Sequence, residues 1–249
     1  MNQISFLFDI DGVLTQPITE SRKISVIDPN LINYLNEIHQ KGFKFSFITG
    51  RAYPWINKFL LFDFSSFLKE IPIYMEYGLT SYFNDKLTIS SEAVIFRNAF
   101  STKIISAIQK KCQQDNVFFD SLPYIDYPDH GSLWLEEKNG MISIVSNRKI
   151  SAEEVQNIVV DSTKGFTNNF RIVKHHLGCD ILPKGWSKEI AAEKSYNLLD
   201  PDKNIQKWFV FGDNESDREM CNPLPNVEFI DTKDGASETT LRNLKDILK

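Results

Sequence analysis

Residues 6–15 read FLFDIDGVLT, and the two acids in this stretch, Asp9 and Asp11, decide how the rest of the chain is read. An apolar run meets Asp9, one apolar residue follows, then Asp11 and Gly12. Burying an unpaired carboxylate is costly. A buried strand that ends in two acids therefore either turns into solvent there or delivers both carboxylates to a chemical site. Side chains two apart on a strand share a face, so Asp9 and Asp11 point the same way if the strand continues through Ile10. If it bends at Asp9, they still converge at its carboxyl end, where open α/β sheets place their ligands.

Working outward, the chain alternates. Gln3–Phe8 reads as a first strand. Asp28-Pro29 then opens a helix, with Asp28 as N-cap and Pro29 in the first turn. Leu31, Tyr34, Leu35 and Ile38 keep helical spacing until Gly42 stops it. A strand over Phe43–Ile48, a helix over Tyr53–Phe62 and a strand over Ile71–Met75 complete an α/β unit with a parallel sheet. After Gly78 the rhythm changes. A helix at Asn98–Cys112, a strand at Val117–Phe119 and a hairpin of Ser132–Glu137 with Met141–Ser146 come first. A helix at Ala152–Val159 and strands at Phe170–Lys174 and Asp180–Leu182 follow. These half-exposed strands point to an antiparallel sheet with helices on one face. The α/β rhythm resumes with a helix at Ser187–Leu198, strands at Trp208–Phe211 and Val227–Ile230, and a helix at Ala236–Leu248. The division expected is a core over 1–79 and 183–249, interrupted by an insert over 80–182.

Composition narrows the function classes. The 249 residues, 42% apolar, suffice for a large core. The 19 phenylalanines read as core filling. A net charge of -5 argues against nucleic acid as a general partner. No apolar run approaches the roughly 20 residues of a membrane span. The first residues enter a strand directly, which is unlike a secretory signal. Cys112, Cys179 and Cys221 form neither a disulfide framework nor a zinc motif, and the expectation is a cytoplasmic protein, monomer or homodimer.

A second acid cluster lies far down the chain. Phe209–Phe211 is apolar and is followed by GDNESDREM, residues 212–220, so a strand again ends in an acid, Asp213, with Asp217 four residues on. A parallel sheet can bring Asp9 and Asp213 side by side. Such a cluster cannot stay fully charged without a counter-ion, and hard oxygen donors suit Mg2+. Thr49 also ends a strand; its hydroxyl and the N–H groups around Gly50 can donate to a phosphoryl oxygen, or the hydroxyl can cap the next helix. Lys188 stands in a helix's first turn, where the dipole disfavours a cation. That placement makes sense if the ammonium faces carboxylates and a phosphate.

The segments FDIDGVLT, TGR, GWSK and GDNESD, in this order, resemble the four motifs of the haloacid-dehalogenase-like phosphatases. The insert between the second and third motifs resembles the group with a large α/β cap, which includes Cof-type sugar phosphatases and sucrose-phosphate phosphatase. The resemblance implies a Rossmann-like parallel-sheet core with helices on both faces, plus an inserted α+β cap with a mainly antiparallel sheet. It implies a Mg2+-dependent phosphomonoester hydrolase. Asp9 would be the nucleophile and Asp11 the general acid and then base. Thr49, with Gly50 and Arg51 beside it, would hold the phosphoryl group, and Lys188 would neutralise it. Asp213 would ligate Mg2+ with Asp9 and the backbone carbonyl of Asp11. Asp217 would hold metal waters or position Lys188. Two departures stand out. Ser216 replaces the Asn common before the last Asp, and Glu76-Tyr77-Gly78 replaces Glu-Asn-Gly.

The chemistry fits these parts independently, because phosphoryl transfer needs positioning and charge neutralisation more than unusual groups. In the insert, candidates for gripping the substrate are Lys174 and His175, then Arg97, His130, Arg148, Lys149 and His176. Asp126, Asp129 and Trp134 could meet a sugar, although Trp134 also reads as core. The partner expected is a small-molecule phosphate ester, a phosphorylated sugar or sugar acid. Two alternatives stay open: a phosphomutase of the same fold, and a non-catalytic sugar- or partner-binding protein on this scaffold.

Overall fold

The structure, a computed structural model, describes residues 3–16, 26–62, 67–124, 133–146, 150–175 and 177–249. Its residue contacts divide it into two units: Met1–Arg51 with Trp55–Thr88 and Ser187–Lys249, and Ala52–Pro54 with Ile89–Trp186. Among the described residues no helix is long and apolar enough to cross a membrane.

The first unit is built on a seven-stranded sheet. Its strands are β1 (Ile4–Phe8), β2 (Lys44–Ile48), β3 (Ile73–Met75), β4 (Thr80–Phe83), β5 (Lys86–Ile89), β11 (Lys207–Gly212) and β12 (Val227–Asp231). The order is β12-β11-β1-β2-β3-β4-β5. β12 through β3 run parallel, and β4 is antiparallel to β3. Alternation along the strands sorts the side chains onto two apolar faces. Phe6 and Phe8, Phe45 and Phe47, and Phe209 and Phe211 fill one face with ring-on-ring packing; Phe8 and Phe211 stack with centroids 4.9 Å apart. Helix α1 (Pro29–Gln40) lies over that face, its His39 ring set edge-on to Phe45. α1 starts as the sequence requires, with the Asp28 carboxylate accepting from Asn30 N at 2.9 Å. The opposite face carries Leu7, Ile48, Trp208 and Val210 under helix α5 (Lys188–Leu199), whose Tyr196 meets Trp208 edge-on. A strand covered on both sides must be apolar on both sides, which is why β1, β2 and β11 read as nearly continuous apolar runs.

The second unit has a five-stranded sheet, with β6 (Phe119–Tyr124), β7 (Leu133–Glu136), β8 (Ile142–Ser146), β10 (Gly178–Pro183) and β9 (Phe170–His175) in that order. All neighbours pair antiparallel except β6 with β7. Helices α3 (Ser91–Gln114) and α4 (Ala152–Thr163) bury Phe96, Ile104, Ile108, Val155 and Val159 against Leu133, Leu135, Ile142, Ile144, Cys179 and Ile181. Both helices start on serine caps, Ser90 and Ser151, the latter in a reciprocal capping box with Glu154.

Three local features differ from the sequence expectation. Residues 80–89 form β4 and β5 and extend the first unit's sheet, so the contact division falls near residue 88 rather than at 80. Asn84 and Asp85 turn between them with φ of 50° and 58°, the backbone a two-residue hairpin needs. The helix expected over Tyr53–Phe62 is a short α2 (Tyr53–Ile56) that continues as a π-helical turn over Asn57–Leu61. The strand expected at Val117–Phe119 begins only at Phe119, after α3 has run on to Gln114.

Candidate active site

Three parallel strands of the first unit end level with one another. Phe8 pairs with Phe211 on one side and with Phe47 on the other. Asp9, Asp213 and Thr49 follow at the carboxyl ends of β1, β11 and β2. Asp9 N donates to Phe211 O at 3.0 Å, which carries the pairing one residue past the strand. Gly12 then turns the chain with φ +69°. A side chain there would meet the Asp213 carboxylate, whose Oδ2 lies 2.3 Å from where the Cβ would stand. The glycine is required twice, for the turn and for the approach of Asp213.

Lys188 is the first residue of α5, and it is buried. Its Nζ lies 2.9 Å from Asp9 Oδ1 and 2.5 Å from Asp217 Oδ1. The cost of a cation at a helix N-terminus is thus offset by two carboxylates. The other Asp217 oxygen accepts from Asp213 N at 2.9 Å and Asn214 N at 3.0 Å. This ties it into the cap of the short helix α6 (Glu215–Arg218). Both Asp217 oxygens are therefore engaged, one of them with Lys188. Asn214 Nδ2 donates to Asp213 Oδ1 at 2.9 Å and so orients that carboxylate. Ser216 donates to Asn214 Oδ1 from both its backbone N and its hydroxyl. The departure at this position thus supports Asn214, a residue the sequence argument passed over.

The electrostatics follow from crowding. Carboxylate oxygens of Asp9, Asp213 and Asp217 lie within 4.8 Å of one another. Burial pushes the Asp9 carboxyl well above the usual range. Lys188 pulls it back in part, and Asp217, Asp11 and Asp213 push it up again. Burial and the Asp217 charge push Asp213 up to about 6. Burial alone would lower the Lys188 pKa, but Asp217 and Asp9 outweigh it and keep the ammonium charged. Among the described residues one ammonium faces three acids here, and the donors around that deficit of positive charge are hard oxygens.

Thr49 is buried, and its hydroxyl accepts from Arg51 N at 3.1 Å. It thus caps the turn that carries Gly50 and Arg51. The Arg51 side chain has a partner the sequence did not disclose. Its Nε and Nη2 fork the two oxygens of Asp11 at 2.8 and 2.9 Å, and its guanidinium lies over the Trp55 ring, 4.7 Å from the centroid. The structure thus brings Asp9, Lys188, Asp213 and Asp217 together, and it ties the Asp11 side chain to Arg51.

The second unit holds a polar cluster that the sequence argument missed. Register places Glu136, Ser143 and Asp180 in one row across β7, β8 and β10, on the face opposite α3 and α4. Ser143, Asp180 and the nearby Lys138 are buried. Lys138 Nζ lies 3.1 Å from Glu136 Oε1, and His175 Nε2 lies 3.7 Å from Asp180 Oδ1. Each strand contributes one member to this row, so no periodic signal marked it in the sequence. Lys174, next to His175, points to the helix-bearing face beside Cys179 and is exposed. Arg97 spends Nη1 on Met141 O at 3.0 Å. Trp134 packs with Val145, Leu177 and Tyr124 as core. His130, Arg148, Lys149, His176, Asp126 and Asp129 lie outside the described residues.

A family model described as haloacid dehalogenase-like hydrolase matches residues 6–141, more than half of the chain. No curated protein sequence matches. Among solved structures, the C-terminal domain of trehalose-6-phosphate phosphatase from C. albicans superposes with a TM-score of 0.63 at 15% identity, covering 89% of this chain and 73% of that one. A haloacid dehalogenase-like hydrolase from Bacteroides thetaiotaomicron gives 0.59 at 11% identity, covering 98% and 100%. A member of a phosphoryl-transfer superfamily with a conserved trigonal-bipyramidal intermediate gives 0.60 at 16%, covering 100% and 99%. At these identities the likeness speaks for the fold. The family match ends before Lys188, Asp213 and Asp217, so the assembly of these three around Asp9 is independent of it.

Proposed function

This chain belongs to the haloacid dehalogenase-like hydrolases, and from that premise we propose that it is a Mg2+-dependent phosphomonoesterase working through an aspartyl-phosphate. The observation that carries the proposal is the buried contact of Lys188 with Asp9 and Asp217, with Asp213 alongside. Asp9 and Asp213 are the residues that would hold Mg2+, together with the Asp11 carbonyl; the ion would supply the missing positive charge and polarise the phosphoryl oxygens. Asp217 is left to position Lys188.

In the first step an Asp9 oxygen attacks phosphorus, and the bond from phosphorus to the ester oxygen breaks. Lys188 and the Thr49 turn steady the charge spread over the phosphoryl oxygens. The leaving oxygen takes a proton from Asp11. In the second step water attacks phosphorus, gives a proton back to Asp11, and the bond from phosphorus to Asp9 breaks, releasing inorganic phosphate. Both Asp11 oxygens are held by Arg51, so one of them turns toward the ester before it can pass a proton.

The substrate proposed is a small phosphorylated sugar or sugar acid. Support comes from trehalose-6-phosphate phosphatase among the structural neighbours. In this reading the second unit is an inserted cap. The test is a screen of phosphate esters for phosphate release with and without Mg2+, using Asp9→Asn as control. Mg2+-dependent turnover that vanishes in the variant is expected. Isomerisation of sugar phosphates without net phosphate release would overturn the hydrolase in favour of a mutase.

A further inference from the structure

The loop after β3 is the most strained stretch of the first unit. Glu76, Tyr77 and Gly78 have φ of 51°, 59° and 84°, three left-handed residues in succession. Asparagine and aspartate tolerate this backbone, but for a bulky aromatic it is an outlier. Such strain persists only where the surroundings over-determine it, and it concentrates at functional sites. Here the surroundings are the site itself. Glu76 N donates to Arg51 O and Tyr77 N to Thr49 O, each at 3.1 Å, so the loop clips onto both ends of the Thr49–Arg51 turn. On its other side Gly78 is pressed against α5; a Cβ there would stand 2.9 Å from Ala191 Cβ. α5 is the helix that carries Lys188.

The Tyr77 ring spans the gap between these two attachments. Its edge lies 3.5 Å from where a Gly50 Cβ would stand, and the Lys188 ammonium sits 6.0 Å from its centroid. That is the outer range at which a ring face still attracts a cation. The ring is buried, so this spacing is fixed by packing.

We infer that Tyr77 is a positioning residue of this site, its ring setting the distance between the Thr49–Arg51 turn and the Lys188 ammonium. The inference rests on the phosphatase reading, since the two groups it spaces are those that would converge on the phosphoryl oxygens. Spacing of this kind acts on the transition state more than on ground-state binding, so kcat should suffer and KM should not.

The experiment compares Tyr77→Phe, Tyr77→Asn and Tyr77→His by steady-state kinetics with p-nitrophenyl phosphate and Mg2+, alongside thermal melting. Asn and His both tolerate the left-handed backbone, while Phe keeps the full ring. Tyr77→Phe is expected within about threefold of wild type, and Tyr77→Asn and Tyr77→His to lose about 10- to 100-fold in kcat with KM little changed. Inhibition by vanadate, a transition-state mimic, should weaken in step with kcat, while inhibition by inorganic phosphate should not. Unchanged kcat in both ring-shortened variants overturns the inference. So does a loss of kcat that merely tracks the folded fraction, or failure of both variants to fold, since Tyr77 would then be structural only. Absence of turnover by the wild type itself, equal to Asp9→Asn, overturns the phosphatase reading and the inference with it.

Discussion

The two sheets solve the problem of housing charge in opposite ways. In the seven-stranded sheet the central strands β1, β2 and β11 are covered on both faces and hold no acid within them, and Asp9 and Asp213 stand where β1 and β11 stop. In the five-stranded sheet one face meets two helices, and Glu136, Asp180 and Lys138 stand within and beside the strands on the other face. A sheet buried on both sides has no interior position for a carboxylate, so its chemistry is pushed to the rim. A sheet with one helix-free face can hold a polar row within its strands, as Glu136, Ser143 and Asp180 do. The rim suits a few groups converging on one reacting atom.

That contrast makes a strong demand of the rim. Lys188→Ala should cost roughly 100- to 1000-fold in turnover, because it removes the donor opposite the developing phosphoryl charge. The loss should be the same for every ester tested, measured as phosphate release. A loss confined to sugar phosphates would break the comparison. Next in size, Lys138→Ala should lower stability by about 1–3 kcal/mol, the cost of taking a buried partner from Glu136. Thermal melting checks it, and an unchanged melting temperature would show that the pair does not stabilise the second sheet.

The smallest effect concerns pH. The Asp213 carboxyl is raised from the ordinary aspartate range to about 6 in the folded protein, so the folded state binds more protons than the unfolded one between these values. Its contribution to stability is fully present below the unfolded pKa and is lost as pH rises through the folded one. In chelator-treated protein, thermal melting should therefore fall from about pH 4 to 6, by about 1 kcal/mol after discount for partial exposure. Mg2+ should oppose that fall by favouring the ionised form. A melting temperature that rises over this window with no metal would contradict the crowding of the three carboxylates.

The same contrast explains what the sequence disclosed. A buried strand that halts at an acid is a conspicuous pattern, and FLFDIDG and FVFGDNESD display it twice. Lys188 was conspicuous for standing at the wrong end of a helix dipole. Glu136 and Asp180 were not, because each is a single acid in an otherwise apolar strand and carries no period of its own. Arg51 was read as a substrate ligand, and only coordinates reveal that its guanidinium grips Asp11. The hairpin at 80–89 was overlooked because its strands are short and β5 is exposed along its length, which left no apolar period to detect.

The pairing of β1 with β11 has a consequence for how this chain is made. A ribosome produces Phe6, Leu7 and Phe8 about 200 residues before Phe209–Phe211, the neighbour that seals one edge of them. Throughout that interval the central strand is an apolar ribbon without one of its partners. Contacts this distant in sequence close slowly, and unpaired edges invite aggregation while they wait. Holdase chaperones should accordingly engage nascent chains stalled before residue 207 far more than chains stalled beyond residue 231.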